Sequence, residues 1–316
     1  MTKRILYIDY AKCIAILLVV SGHIIQCFSV KGSKDPLFEF IYSFHMSLFF
    51  FLSGYVALMT RERSFSKGVF PYLVRKTETL LVPFLVWSLL VNRYIDILPP
   101  PATYNITELF QRPDLGVWFL FSLFLIQVAC IPLLRWQKWY VIIPNIAALA
   151  ACSYFLESFT YLNYMHWIPF VTGMAIAKFD KQILTPTPAT IALLIFIVFE
   201  VVHPHPVVTS ISLGIALLHA CSQIKADNII SRQALAIGQN TMGVYLIHFF
   251  FVWAVGYGVI DMSGLHGTLT LAILLVLSYI ISIVCVYIAK TLQLFPIVGY
   301  LLFGKKIKAL IIRTML

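Results

Sequence analysis

Stretches of about 20 mainly apolar residues, each long enough to cross a bilayer, recur along almost the whole chain and leave room for little but short loops. They fall near residues 7–29, 37–59, 79–97, 116–134, 139–157, 163–177, 186–202, 206–223, 235–258 and 267–290. Backbone groups in hydrocarbon find no water, so each stretch must satisfy its own hydrogen bonds, which a helix does. The expected fold is therefore an all-α integral membrane protein of about ten transmembrane helices, forming a single transmembrane domain over residues 1–316. A soluble fold is excluded by composition: 60% of residues are hydrophobic and 11% charged, against roughly 45–50% and about 25% in soluble domains. The sixth stretch is short and carries Pro169 and Gly173, so it is the weakest of the series.

Charge sets the expected orientation. With both termini cytoplasmic, alternation of these spans puts Lys3, Arg4, Arg61, Arg63, Lys67, Arg75, Lys76, Arg135, Lys138, Lys178, Lys181, Lys225, Arg232, Lys290, Lys305, Lys306, Lys308 and Arg313 inside. Only Lys31, Lys34, Arg93 and Arg112 fall outside, the asymmetry the positive-inside rule demands. The net charge of +10 is spread over membrane-facing loops without a nucleic-acid motif, so contact with anionic lipid accounts for it and no nucleic-acid partner is expected. The first apolar stretch continues past signal-peptide length and is expected to act as a signal anchor, and the basic segment from 304 to 316 is expected to serve as a topology anchor, with an amphipathic helix along the inner surface as the alternative. The six cysteines stand singly without metal-ligand spacing, so no metal is expected. A sequon, Asn105-Ile106-Thr107, falls in the outer loop.

Ionisable residues inside apolar spans are costly and mark functional sites. The first span holds Asp9, Lys12 and His23. Lys12 and His23 are eleven residues apart, close to three helical turns, and share one face about 16 Å apart. Asp9 stands one turn before Lys12, placed to pair with it. His45 in the second span and His248 in the ninth fall at similar depth to His23, so the three are expected to line one cavity, with imidazole suited to proton exchange near neutral pH. His203 and His205 are expected in a solvated outer turn, and His166, His219 and His266 at helix ends or contacts.

Several motifs resemble the acyltransferase-3 family. Tyr7-Ile8-Asp9-Tyr10-Ala11-Lys12 followed by Val19-Val20-Ser21-Gly22-His23 resembles its opening, where a basic residue precedes a histidine by eleven positions. His45 through Tyr55, Leu81-Val82-Pro83-Phe84, Trp118-Phe119-Leu120, and Gly238-Gln239-Asn240-Thr241 through His248 resemble its later signatures, in family order. One departure is Thr79, where members commonly carry a basic residue before the Leu-Leu-x-Pro stretch; Arg75 and Lys76 stand a turn earlier and are expected to substitute. The resemblance implies a multi-pass enzyme of the cell (plasma or inner) membrane that transfers an acyl group, usually acetyl, from cytoplasmic acyl-CoA to a hydroxyl of an envelope glycan or glycolipid, with the first-span histidine as the catalytic residue.

On that basis His23, Lys12 and Asp9 are the expected catalytic set, His23 serving as general base or transient acyl carrier. Arg61, Arg63, Arg75 and Lys76 are expected to meet the phosphates of acetyl-CoA, and its arm to run past Lys12. His45, Trp118, Tyr245 and His248 are the expected acceptor-side residues. Membrane lipids are expected partners, and a homo-oligomer is compatible with such a bundle. The alternative is a multi-helix exporter of a small acid, acyl-sugar or polysaccharide, which would move solute without consuming acyl-CoA; the lack of an internal repeat counts against it.

Overall fold

The computed structural model describes residues 5–28, 32–97, 117–155, 160–225, 227–256 and 268–305. It is 87% helical, and no strand occurs among the described residues. The helices are α1 (Leu6–Phe28), α2 (Pro36–Tyr42), α3 (His45–Met59), α4 (Arg61–Ser64), α5 (Val69–Lys76), α6 (Val82–Ile97), α7 (Trp118–Ala129), α8 (Ile131–Arg135) and α9 (Trp139–Phe155). They continue as α10 (Tyr164–Lys178), α11 (Asp180–Ile183), α12 (Pro186–Val202), α13 (Pro206–Ser222), α14 (Ile229–Gln239), α15 (Thr241–Gly256), α16 (Thr268–Leu292) and α17 (Pro296–Phe303).

Among the described residues, three helical stretches are long and apolar enough to cross a membrane alone: Leu6–Cys27, Pro36–Met59 and Leu271–Leu292. Shorter apolar helices, α7, α9, α12 and α13, occupy further expected spans. The start signals are chemical. Asp35 caps α2 by accepting from the Leu37 amide at 2.9 Å, with Pro36 at the first helical position. Proline likewise opens α12 and α13, so the turn His203-Pro204-His205 separates them cleanly. A π-helical segment, Thr77–Leu81, leads into α6 just before Pro83, whose missing amide takes one hydrogen bond out of the ladder.

The ninth expected span departs from a single helix. α14 and α15 meet at an 89° bend. Asn240 leaves helical geometry at φ −119°, ψ 26°, and its side-chain amide donates to the Ala236 carbonyl at 2.7 Å, a local bond that competes with helix continuation. Lys3, Arg4, Lys31, Arg112, Lys306, Lys308, Arg313, His266, the loop 98–116 expected outside with its sequon, and most of the C-terminal segment lie outside the described residues.

Two compact units emerge: Met1–Val56 with Pro169–Ala289, and Ala57–Ile168 with Lys290–Leu316. In the first, α1 packs against α2, α13, α14 and α15. Glycines bring α3 and α10 into backbone contact: a Cβ on Gly54 would overlap the Phe170 carbonyl, and one on Gly173 the Phe51 carbonyl. Such small-residue crossings suit a medium that supplies no hydrophobic drive between helices. Cross-helix hydroxyl pairs add to it, Tyr7 with Tyr55 at 2.8 Å and Ser21 with Ser278 at 2.7 Å. In the second unit Trp87 Nε1 donates to the Leu302 carbonyl at 2.7 Å, joining α6 to α17.

Candidate functional site

The three expected histidines do gather, in the first unit. His23, on the C-terminal half of α1, has its ring centre 5.2 Å from that of His248 on α15. Phe249 stands edge-on to His23 at 5.5 Å, and Tyr42, from the end of α2, at 6.1 Å. Tyr42 in turn lies 4.3 Å from the ring of His45, the first residue of α3. The break between α2 and α3 thus turns Tyr42 and His45 toward the same cluster. Tyr245, one turn before His248, is half-buried with its ring 6.2 Å away.

Hydrogen bonding sets the state of each ring. His45 Nδ1 faces the Ile41 carbonyl and His248 Nδ1 the Val244 carbonyl, each at 2.9 Å. A carbonyl only accepts, so both Nδ1 atoms carry the proton and both Nε2 atoms hold a lone pair. His23 Nδ1 lies 3.1 Å from Gln26 Oε1 and 3.2 Å from the Tyr42 hydroxyl. The amide oxygen fixes the same tautomer, which exposes Nε2 of His23 as the basic nitrogen. His45 and His248 are 2% and 1% exposed, whereas His23 is only part-buried and open to approach.

Toward the N-terminus of α1, Asp9 is buried and Lys12 half-buried, one turn apart. The uninterrupted helix keeps Lys12 and His23 on one face, as their spacing requires.

The basic residues belong to the second unit. Arg75 Nη2 donates to the Ser64 carbonyl at 3.2 Å, which ties α5 to α4. The Arg75 guanidinium and Lys76 ammonium both lie over the Tyr72 ring, at 5.7 and 5.3 Å. Tyr72 is itself stacked on Phe65 at 4.2 Å. Among the described residues, neither cation pairs with a carboxylate. Burial and the neighbouring Arg75 pull the Lys76 pKa down to about 8. Arg63 is exposed and Arg61 half-buried on α4 beside them. Thr79 sits in the π-helical segment and donates to the Arg75 carbonyl at 2.8 Å, so its side chain serves the backbone there.

Trp118 begins α7, also in the second unit, with its ring 5.2 Å from His166. His166 is thus a contact residue, as its position implied. His203 is exposed, but His205, expected to be solvated, is half-buried with Nδ1 enclosed, because its ring lies at the start of α13. Among the described residues no group of three His, Cys, Asp or Glu side chains is arranged to hold a metal.

Sequence reasoning passed over Gln26, Tyr42 and Phe249. Gln26 carries a recognisable signal, a side-chain amide one turn beyond His23. Tyr42 carries none, because its place depends on the break before His45.

Comparison with known proteins adds the lineage. A family of proteins described as an acyltransferase domain, acyltransferase-3, matches residues 5–288. The nodulation protein NolL of Mesorhizobium japonicum is 30% identical over 156 residues, 47% of this chain and 41% of the relative. NolL of Sinorhizobium fredii is 39% identical over 95 residues, 28% of this chain and 25% of the relative. The match thus spans less than half the length of these curated relatives. No solved structure matches the chain.

Proposed function

This chain belongs to the acyltransferase-3 family, and from that premise we propose that it transfers an acetyl group from cytoplasmic acetyl-CoA to a hydroxyl of an envelope glycan or glycolipid. The observation that carries the mechanism is the hold on His23: with Nδ1 engaged by Gln26 and Tyr42, Nε2 is available as general base. His23 Nε2 takes the proton of the acceptor hydroxyl as its oxygen attacks the thioester carbonyl. The C–S bond breaks as the tetrahedral species collapses, and the departing CoA thiolate takes the proton from the imidazolium. Phe249 and Tyr42 flank the His23 ring, and the bound acceptor covers the side left open, so that water is kept from competing as acceptor. A transient acyl on Nε2 is the variant route, and quenching with labelled donor alone would trap it.

Two cations held over one aromatic ring, with no carboxylate paired to them among the described residues, are matched to the phosphates of CoA, so Arg75 and Lys76 are assigned to the donor with Arg61 and Arg63 beside them. Lys12 and Asp9 are assigned to the inner end of the donor arm. Trp118 and Tyr245 are assigned to the acceptor, as stacking surfaces. About ten spans with both termini inside is the topology that puts donor and acceptor on opposite faces; labelling of single cysteines placed in the loops tests it.

The deciding experiment is purified protein in liposomes with labelled acetyl-CoA and a panel of glycan acceptors. Transfer is expected, and His23→Ala is expected to abolish it. Undiminished transfer by that variant refutes the assignment of His23, and no consumption of acetyl-CoA with any acceptor refutes the activity.

A further inference from the structure

His248 is 1% exposed, and its Nε2 is a buried polar atom without a hydrogen-bond partner among the described residues. Leaving such an atom unpaired is costly, and the usual explanation is a group that arrives later. What that group must be follows from the tautomers. His248 Nδ1 is committed to the Val244 carbonyl, so Nε2 accepts and cannot donate. His23 Nε2 is likewise an acceptor, since Nδ1 of that ring faces Gln26 Oε1. The Tyr42 hydroxyl lies at the Nδ1 edge of His23 instead. Two acceptor nitrogens therefore stand on rings whose centres are 5.2 Å apart.

A lone hydroxyl has one hydrogen and can satisfy only one of the two. Two neighbouring hydroxyls, each donating over about 2.8 Å, span the gap and satisfy both. We propose that His248 is a specificity-determining residue that accepts a hydrogen bond from a second hydroxyl next to the one acetylated at His23, so the acceptor is a vicinal diol, as on a pyranose ring, and not a lone alcohol. The proposal rests on the acetyl-transfer activity proposed above and names the substrate class for that site. Its logic is that of a site whose buried acceptor rejects an analogue lacking the matching hydroxyl.

The test uses 4-nitrophenyl glucosides, galactosides and mannosides, each beside counterparts in which a hydroxyl adjacent to the acetylated position is removed. Wild-type protein is expected to acetylate the parent with kcat/KM at least about tenfold above the deoxy compound. In His248→Ala that ratio is expected to fall toward one, and His248→Gln, whose amide oxygen also accepts, is expected to keep part of it. An equal ratio in wild type and His248→Ala overturns the proposal, and so does efficient transfer to the deoxy compounds by wild type. If His248→Ala fails to fold, the same comparison is made with His248→Gln and Gln26→Ala, the latter expected to lower rate without altering the ratio. Independently of turnover, the ¹⁵N resonance of His248 Nε2 in histidine-labelled protein is expected to shift when the parent glycoside is added without acetyl-CoA. A shift without transfer refutes the activity alone, transfer without discrimination refutes the role of His248 alone, and neither shift nor transfer refutes both.

Discussion

Gly238→Ala is the most exacting test of how the late signature works, because its two effects oppose each other. Gly238 lies in α14 against the backbone of α1, and a Cβ there would overlap the Asp9 carbonyl oxygen, standing 2.6 Å from the carbonyl carbon and 3.1 Å from the Cα. Ordinary contact needs about 3.5–4.0 Å, so the helices must separate locally by roughly 1 Å. Neither partner can yield by turning a side chain, since the obstacle is backbone on both sides. A gap of that size forfeits up to about half the dispersion energy along the face, and overpacking of this kind costs about 1–3 kcal/mol. Against it, alanine favours helix over glycine by about 1 kcal/mol. The expected net is a destabilisation of up to about 2 kcal/mol, read as a lowered midpoint of unfolding in mixed micelles. Ser231 hydrogen-bonds Tyr10 across the same helix pair, so Ser231→Ala and Gly238→Ala are expected to be non-additive. A variant more stable than wild type by about 1 kcal/mol, the full propensity gain, refutes the contact and leaves propensity as the only effect of the substitution.

Tyr42→Phe and Gln26→Ala each remove one partner of His23 Nδ1; transfer rate is expected to drop about three- to tenfold for each, about 1 kcal/mol per hydrogen bond, and the double variant to lose more than either, while unchanged kcat in the double variant contradicts control of the tautomer. Lys76, with its pKa pulled from 10.5 to about 8, is charged below that pH and neutral above it. CoA affinity is therefore expected to weaken severalfold as pH rises through about 8, a fall absent in Lys76→Met, and a flat affinity between pH 7 and 9 in wild type would count against its role. Stability runs the other way: the folded state disfavours the ammonium, so that cost is fully present below about 8 and disappears as pH rises toward the ordinary lysine range. Ser43, beside Tyr42 in the break between α2 and α3, has its hydroxyl 2.8 and 3.0 Å from the two carboxylate oxygens of Glu200, and its one proton bonds that carboxylate. Glu200→Ala is expected to cost about 1–2 kcal/mol of stability and to lower transfer, with partial recovery in Glu200→Gln; no change in either measurement contradicts an anchoring role.

What could be read from the sequence was depth, and what could not was direction. Depth follows from counting residues at a fixed rise along a helix, which is why His23, His45 and His248 were expected at one level and are found within one cluster. Direction depends on breaks. Tyr42 reaches both His23 and His45 only because α2 ends at Tyr42 and α3 begins at His45, and an averaged hydropathy over 37–59 hides that interruption. The same averaging merged α14 with α15, although Asn240 turns the chain by 89° between them. Arg75 and Lys76 were legible as charges, but their shared seat over Tyr72 needed the fold of α5.

The bend at Asn240 also divides the signature that runs from Gly238 to His248 by task. Before it, Gly238 has no side chain because α14 must lie against the Asp9 backbone of α1. After it, α15 carries His248 to the ring of His23, on the same α1. Both halves act on one helix, at sites fourteen residues apart from Asp9 to His23, about 21 Å along its axis. A straight helix offers each partner one line of contact, whereas a chain bent by nearly a right angle can brace α1 near its N-terminal end and place an imidazole at its C-terminal half. The polar bend residues that weaken the hydropathy signal of the ninth span are therefore the ones that allow one segment to perform both tasks.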